Sequence, residues 1–225
     1  VLEQHGERVA ALIVEPLVQG AAGMVMHSPA FLRAARELCT AAQVFLIADE
    51  VMTGFGRTGT LFACEHAGVQ PALLCLAKGL TGATLPLAAT LATDEIFEAF
   101  RSEQRGKMFF HGHTFTAHPV GCAAALASLD LIADHDTPRL FERIGQRLFR
   151  SLADLNQNPR VQNLRQLGGM IAFELASDQP EGCRAARRQG LRRVAHEHGV
   201  LLRPLGDTLY AWPPACTSEQ ELDQI

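Results

Sequence analysis

Two polar side chains stand where apolar runs stop. Asp49 follows VFLIA (44–48), Lys78 follows LLCLA (73–77), and a glycine-rich stretch, TGFGRTG (53–59), lies between them. Short apolar runs of this kind read as buried strands of a parallel sheet. In an open α/β sheet, ligands gather beyond the carboxyl ends of the strands. Singly, neither residue says much: an aspartate there is more often a cap or turn residue, and a Lys-Gly pair more often a solvated turn. Jointly they offer a specific chemistry. A lysine amine can form a Schiff base with a carbonyl compound. A nearby carboxylate holds a cationic partner in its charged form.

The elements that must position these two residues alternate. Val9–Val14 is a first apolar run, and Leu87–Ala92 is a candidate fourth strand after those ending at Asp49 and Lys78. Ser28-Pro29 opens a helix, with Ser28 as N-cap and Pro29 at the first helical position. Phe31, Ala35, Leu38 and Ala42 recur along it at helical spacing. This βαβ rhythm predicts an α/β sheet with helices on its faces. A long helix is expected from His118-Pro119 through GCAAALASLDLIAD. Another starts at Pro138, with Leu140, Phe141, Ile144, Leu148, Leu152 and Leu155 as its apolar stripe.

Beyond Asn158-Pro159 the pattern changes. Strands are expected at Val161–Gln166 and Met170–Leu175 around Gly168-Gly169, a helix over Cys183–His198, and strands near Val200–Leu202 and Thr208–Trp212. That order suits a small α+β domain. The reading is therefore two parts, residues 1–150 in an α/β domain and 151–225 in a smaller α+β one, without internal repeats.

Composition narrows the function classes. The chain has 225 residues, 48% apolar and 20% charged, with a net charge of −4. That is ordinary for a globular protein and leaves no basic footprint for nucleic acid. Arg184, Arg187, Arg188, Arg192 and Arg193 cluster, at a spacing that suits the solvated face of one helix. No run approaches the roughly 20 apolar residues that span a bilayer. The start, VLEQHGERVAALIVEP, lacks a signal-peptide layout. Cys39, Cys64, Cys75, Cys122, Cys183 and Cys216 are scattered with no CxxC pair, and read as reduced core thiols of a cytoplasmic protein. The pairs His111/His113 and His196/His198 lack further ligands at fixed spacing, so a metal site is the minority reading.

An amine and an acid flanking a glycine loop suit pyridoxal phosphate. That cofactor needs a lysine for its Schiff base and an acidic partner for its pyridinium nitrogen. The protonated ring accepts electrons when a substrate carbon loses its proton, and the lysine can carry that proton as general base and then acid. The surrounding sequence carries a fuller resemblance. IADEVMTGFGRTGTLFACEHAGVQPALLCLAKGLTGATLPLAAT (47–90), EPLVQGAAGM (15–24) and HGHTFTAHPVGCAAALASL (111–129) resemble, in the same order, the class III (fold type I) pyridoxal-phosphate-dependent aminotransferases. The resemblance covers nearly the whole chain and is strongest over residues 9–130.

It implies a fold in which residues 1–150 are part of the cofactor-binding large domain and 151–225 an incomplete small C-terminal domain. It also implies roles. Lys78 matches the Schiff-base lysine and Asp49 the pyridinium partner, which makes these two the catalytic pair. Thr114 matches a residue that hydrogen-bonds the cofactor phosphate from the neighbouring subunit of a homodimer, and His113 would offer its backbone N–H beside it. Gly112 matches a glycine lining the substrate pocket. Arg203, in LLRPLGDTLYAWPP, matches the arginine that pairs with a substrate carboxylate, for which a planar guanidinium fork is suited. Gly54, Gly56 and Gly59 are expected to supply backbone freedom, Arg57 to hold the loop through hydrogen bonds, and Glu15 to brace the site from behind.

One departure points to a branch. Family members acting on ornithine or 4-aminobutyrate carry Gln at the position of Met52, and Met cannot replace its hydrogen bonds. A residue other than Gln there is similar to the biotin-synthesis branch. For that branch the resemblance implies S-adenosylmethionine as amino donor and 8-amino-7-oxononanoate as acceptor. Two alternatives stay open: another class III ω-amino acid or lysine aminotransferase, and an inert truncated homologue. The resemblance also implies that the family's phosphate-binding Gly-Ser loop and ring-stacking aromatic precede residue 1.

Overall fold

A computed structural model describes residues 2–176 and 184–225. Two compact units divide the chain. The first holds Val1–Leu17, Ser28–Phe55 and Phe62–Asp134; the second holds Val18–His27, Gly56–Leu61 and His135–Ile225.

In the first unit, a short helix α1 (Leu2–His5) precedes β1 (Ala11–Val14). Helix α2 (Pro29–Ala41), β4 (Phe45–Asp49), β5 (Leu73–Leu76), β6 (Ala89–Ala92), α3 (Asp94–Phe100) and α4 (Pro119–Asp134) follow. The small strands β2 (Val18–Gln19) and β3 (Val25–Met26) interrupt this order but belong to the second unit. The sheet runs β1-β4-β5-β6. Its first three strands are parallel, whereas β6 is antiparallel to β5. The hand of β6 has a simple cause. A parallel return needs a crossover, usually a helix, and residues 77–88 supply only a 3-10 turn at Lys78–Thr81.

Helix α2 begins where Ser28-Pro29 predicts, although the Ser28 hydroxyl makes no capping bond. Its buried stripe is Leu32, Ala35 and Cys39, while Phe31 and Leu38, expected to face the core, are exposed. The expectation was out of phase by one residue because two adjacent faces of the helix are apolar. Leu32 and Cys39 pack on Leu46 and Ala48 of β4, with Val44, Cys64 and Ala67 closing the layer. Burying a side chain such as Leu32 is worth about 1.5–3 kcal/mol. A second apolar layer joins Ala125 of α4 to Phe55, Leu76 and Leu80. Helix α4 starts at Pro119 as expected, and His118 Nδ1 accepts the Gly121 N–H at 3.3 Å in its first turn.

The second unit is a three-stranded antiparallel sheet, β7 (Val161–Leu167), β8 (Met170–Leu175) and β9 (Thr208–Ala211), in that order. Helix α5 (Thr137–Ser151) lays Phe141, Ile144 and Leu148 on Ile171, with Leu222 of the terminal helix α7 (Glu219–Gln224) completing the cluster. Leu152 packs at its margin. Leu155 falls beyond the helix, in a 3-10 turn. Gly145 is the contact point: a Cβ there would lie 1.7 Å from the Gly168 carbonyl oxygen, so α5 and the β7–β8 turn touch backbone to backbone.

Helix α6 (Arg184–Glu197) matches the expected one, whose first residue, Cys183, lies outside the described residues. The expected strand at Val200–Leu202 is absent. Those residues pair with nothing in the sheet, and only an isolated bridge joins Leu205 to Thr208. Apolar composition alone does not make a strand; ladder pairing does. Arg192 and Arg193 are exposed, Arg193 pairing with Glu197 at 2.9 Å; the side chains of Arg184, Arg187 and Arg188 lie outside those described. Of the thiols read as core, Cys39 and Cys64 are buried and Cys75 and Cys122 half-buried, but Cys216 is exposed. Among the described residues no helix is long and apolar enough to cross a membrane, and no cluster of side chains could hold a metal ion.

Candidate active site

Asp49 and Lys78 stand at the same edge of the first unit's sheet. Asp49 is the last residue of β4 and lies opposite Cys75 in the β4–β5 register. Lys78 is two residues beyond the end of β5. Adjacent strands lie about 4.8 Å apart, so both side chains leave from neighbouring strands at the carboxyl edge, where α/β sheets bind ligands.

Asp49 is half-buried, and its Oδ1 accepts the Val51 N–H at 3.1 Å. Among the described residues no donor reaches Oδ2. Lys78 is exposed and makes no ion pair among the described residues. Its φ is +44°, a left-handed conformation that costs a non-glycine residue about 1–3 kcal/mol. Its surroundings hold the turn. The Leu80 N–H donates to the Ala77 carbonyl at 3.0 Å, and Gly82 N–H to Gly79 at 3.1 Å. Buried Thr81 donates to the Leu85 carbonyl at 2.6 Å.

Behind Asp49 sits a residue the sequence reading passed over. Side chains alternate faces along a strand, so Glu50 turns away from Asp49, into the interior. It is fully buried. Its Oε2 accepts from Thr53 Oγ1 at 3.1 Å and from the Ala63 N–H at 2.6 Å, and its Oε1 from the Cys64 N–H at 2.9 Å. Glu50 thus ties Thr53, at the start of the glycine-rich stretch, and the turn at Ala63 and Cys64 to the end of β4. Burial pushes its carboxyl above the usual glutamate range, and the three donors offset part of that push. The signal available in sequence was the Asp-Glu pair itself: two adjacent acids leaving a buried strand cannot both face the ligand.

The glycine-rich loop serves each unit separately. In the first, Gly54 N–H returns to the Glu50 carbonyl at 3.0 Å, and a Cβ on Gly54 would lie 2.9 Å from that oxygen. In the second, Arg57 holds the loop as expected. Its Nη1 donates to the Pro213 carbonyl at 2.8 Å and to Trp212 at 3.3 Å, and the guanidinium stacks 4.0 Å over the Phe141 ring. Burial lowers its pKa to about 10.

The remaining expected residues are distributed. Gly112, His113 and Thr114 lie in an exposed stretch of the first unit beside Met108, Phe109, Phe110 and Phe115, all strongly exposed. No hydrogen bond among the described residues links them to Asp49 or Lys78. The His113 N–H donates to Thr116 Oγ1 at 2.9 Å, so giving it to a ligand requires exchanging that bond. Arg203 belongs to the second unit, is exposed, and lines a cleft of about 500 Å³ with Tyr210, Trp212 and Glu221. Another cavity, of about 440 Å³, lies at the opposite edge of the first sheet near Val44, Phe45 and Thr93. It contains none of the expected site residues.

A carboxylate with an oxygen to spare and an unpaired amine on adjacent strand ends fit the acid partner and lysine of a pyridoxal-type cofactor. The sequence profile of the Aminotransferase class-III family matches residues 1–225. The chain belongs to that family, and its α/β architecture is part of the transaminase fold. Among curated relatives it is 45% identical over 230 residues to the adenosylmethionine-8-amino-7-oxononanoate aminotransferase of Nitratidesulfovibrio vulgaris, an alignment covering 100% of this chain and 42% of that protein. It is 48% identical over 222 residues to the enzyme of the same name from Synechococcus elongatus, covering 96% of this chain and 50% of the relative. Among solved structures, an amine transaminase from an uncultivated Pseudomonas species, in its PLP-bound (internal aldimine) form, superposes with a TM-score of 0.91 at 37% identity. That match covers 99% of this chain and 51% of the other. The chain thus spans about half the length of the curated relatives it matches.

Proposed function

We propose that this chain carries the catalytic lysine of a pyridoxal-phosphate-dependent aminotransferase of biotin synthesis. The net reaction moves the amino group of S-adenosylmethionine to the ketone of 8-amino-7-oxononanoate, giving 7,8-diaminononanoate. The observation that carries this reading is the pairing of Asp49 and Lys78 on adjacent strand ends, in a chain 45–48% identical to relatives bearing that enzyme's name.

When bound, the cofactor supplies an electron sink for the carbon that bears the amine. Lys78 would hold the cofactor through its amine and is the group placed to take and return the proton of the substrate carbon. Asp49, its Oδ1 held by the Val51 N–H, would pair with the cofactor's ring nitrogen and favour its protonated form. Arg203 anchors the carboxylate of the keto acid with its guanidinium fork. Gly112 leaves room beside the substrate. Thr114 and the His113 N–H serve the phosphate of a neighbouring subunit's site in a cytoplasmic homodimer. The exposed aromatic stretch around them supports that last assignment, because contiguous exposed apolar surface marks interfaces.

Lys78→Ala in the full-length protein tests the reading. Turnover is expected to fall by about 10²–10⁴-fold, the usual share of a positioned acid–base group. Borohydride should no longer fix the cofactor to the protein. Retained turnover with a fixed cofactor would remove Lys78 from its role. A panel of amino donors tests the substrate: activity with alanine or lysine and none with S-adenosylmethionine would replace the donor by that of an ω-amino acid or lysine aminotransferase.

A further inference from the structure

Gly79, the residue just after Lys78, is held by two side chains with no assigned part in the chemistry. On one side is Phe55, from the glycine-rich loop. Its side chain fills the space a Cβ on Gly79 would occupy, with Phe55 Cβ and Cδ2 both 2.9 Å from that position. The ring is buried and is backed edge-on by Phe62, centroids 5.8 Å apart. Phe55 is itself left-handed, at φ +60°, and it stands in the stretch that Glu50 braces. On the other side is Ser128 of α4, whose Oγ donates to the Gly79 carbonyl at 3.1 Å. That carbonyl also accepts the Gly82 N–H at 3.1 Å, closing the 3-10 turn that Lys78 begins.

We infer that Phe55 and Ser128 are positioning residues that hold Lys78 in its left-handed backbone conformation and so set where its amine points. The argument is steric and electrostatic. A lysine at φ +44° relaxes toward ordinary backbone unless its neighbours forbid it. Relaxation at Lys78 would swing Gly79 and the carbonyl that Gly79 contributes to the next peptide. Phe55 fills the space beside Gly79 and Ser128 holds the Gly79 oxygen, so both resist that movement. Gly79 is required because any side chain there would displace the Phe55 ring. Phe55 acts from the loop after β4 and Ser128 from a helix, so the lysine turn registers the packing of both elements. The inference rests on Lys78 as the cofactor lysine and extends it to the residues that aim it.

The test is a pair of cycles in the full-length protein: wild type, Ser128→Ala, Ser128→Thr and Phe55→Leu, each with Lys78 and with Lys78→Ala. Two quantities are read. One is the ratio of covalently attached to merely bound pyridoxal phosphate, from the visible absorbance band and its pH titration. The other is non-covalent cofactor affinity in the Lys78→Ala background. With Lys78 present, Ser128→Ala is expected to lower the attachment ratio by about two- to twelvefold, the range of one net hydrogen bond. Ser128→Thr should restore it, and Phe55→Leu should fall on the same side as Ser128→Ala. In the Lys78→Ala background the non-covalent affinity should be unchanged. Equal losses in both backgrounds, or an unaltered ratio in both Ser128→Ala and Phe55→Leu, would overturn the positioning role. A wild type in which borohydride fixes no cofactor to Lys78 would instead overturn the underlying lysine assignment, a separate and recognisable result.

Discussion

Removing the Glu50 carboxylate should loosen the loop behind the candidate site by an amount the hydrogen bonds predict. Glu50 is fully buried and accepts from three donors: Thr53 Oγ1, the Ala63 N–H and the Cys64 N–H. A buried donor left without an acceptor costs about 1–3 kcal/mol. Glu50→Gln can keep one oxygen at the Oε2 position for Thr53 and Ala63. Its amide NH2 then faces the Cys64 N–H, donor against donor, so one bond is lost and the expected cost is roughly 1–3 kcal/mol. Glu50→Ala orphans all three donors. Water entering the opened loop recovers part of the sum, which leaves roughly 3–5 kcal/mol.

Urea unfolding of both variants, followed by circular dichroism, measures the two costs. The pH dependence carries a sign. Burial raises the folded-state value of Glu50 above its ordinary one. Its contribution is therefore fully present below the ordinary glutamate value and is lost as pH rises through the raised value. Gln does not titrate, so the stability gap between wild type and Glu50→Gln should narrow as pH rises across that window. Equal costs for the two variants would refute the picture of a buried acceptor shared by three donors, and a gap that widens with pH would refute the raised value of Glu50.

Two further outcomes follow from packing and burial. Gly145→Ala places a methyl where the Gly168 carbonyl oxygen lies and should destabilise the second unit by about 1–3 kcal/mol through overpacking; an unchanged urea midpoint would contradict the close approach of α5 to the β7–β8 turn. Burial, and for Cys64 also the nearby Glu50, pushes the thiols of Cys39 and Cys64 above the usual range, whereas Cys216 is exposed; a thiol reagent at pH 8 should modify Cys216 in the folded protein and reach Cys39 and Cys64 only after denaturation, as peptide mass mapping would record.

Asp49 and Lys78 were legible because chain order places them. A buried run that stops at a polar residue ends its strand there, and β1, β4 and β5 are parallel, so successive strand ends share one edge. Helix starts were legible for the same local reason: Pro29 and Pro119 can stand only in a first turn, and they do. Local pattern failed where a residue had two plausible environments. Phe31 and Leu38 lie on an apolar face next to the one α2 buries, and only the position of β4 chooses between them. Val200–Leu202 has strand composition, but it joins neither edge of the β7-β8-β9 sheet.

By itself the sequence determined the family and offered the candidate pair, because the spacing Asp49, glycine loop, Lys78 is written along one continuous stretch. Only the tertiary structure decided what holds the lysine. Glu50, Phe55 and Ser128 come from a strand end, a loop and a distant helix. Their roles rest on a buried carboxylate meeting backbone N–H groups, a ring against a missing Cβ, and a hydroxyl on one carbonyl. Contacts of this kind depend on which faces the packed elements turn toward each other, and no periodicity in the chain encodes them.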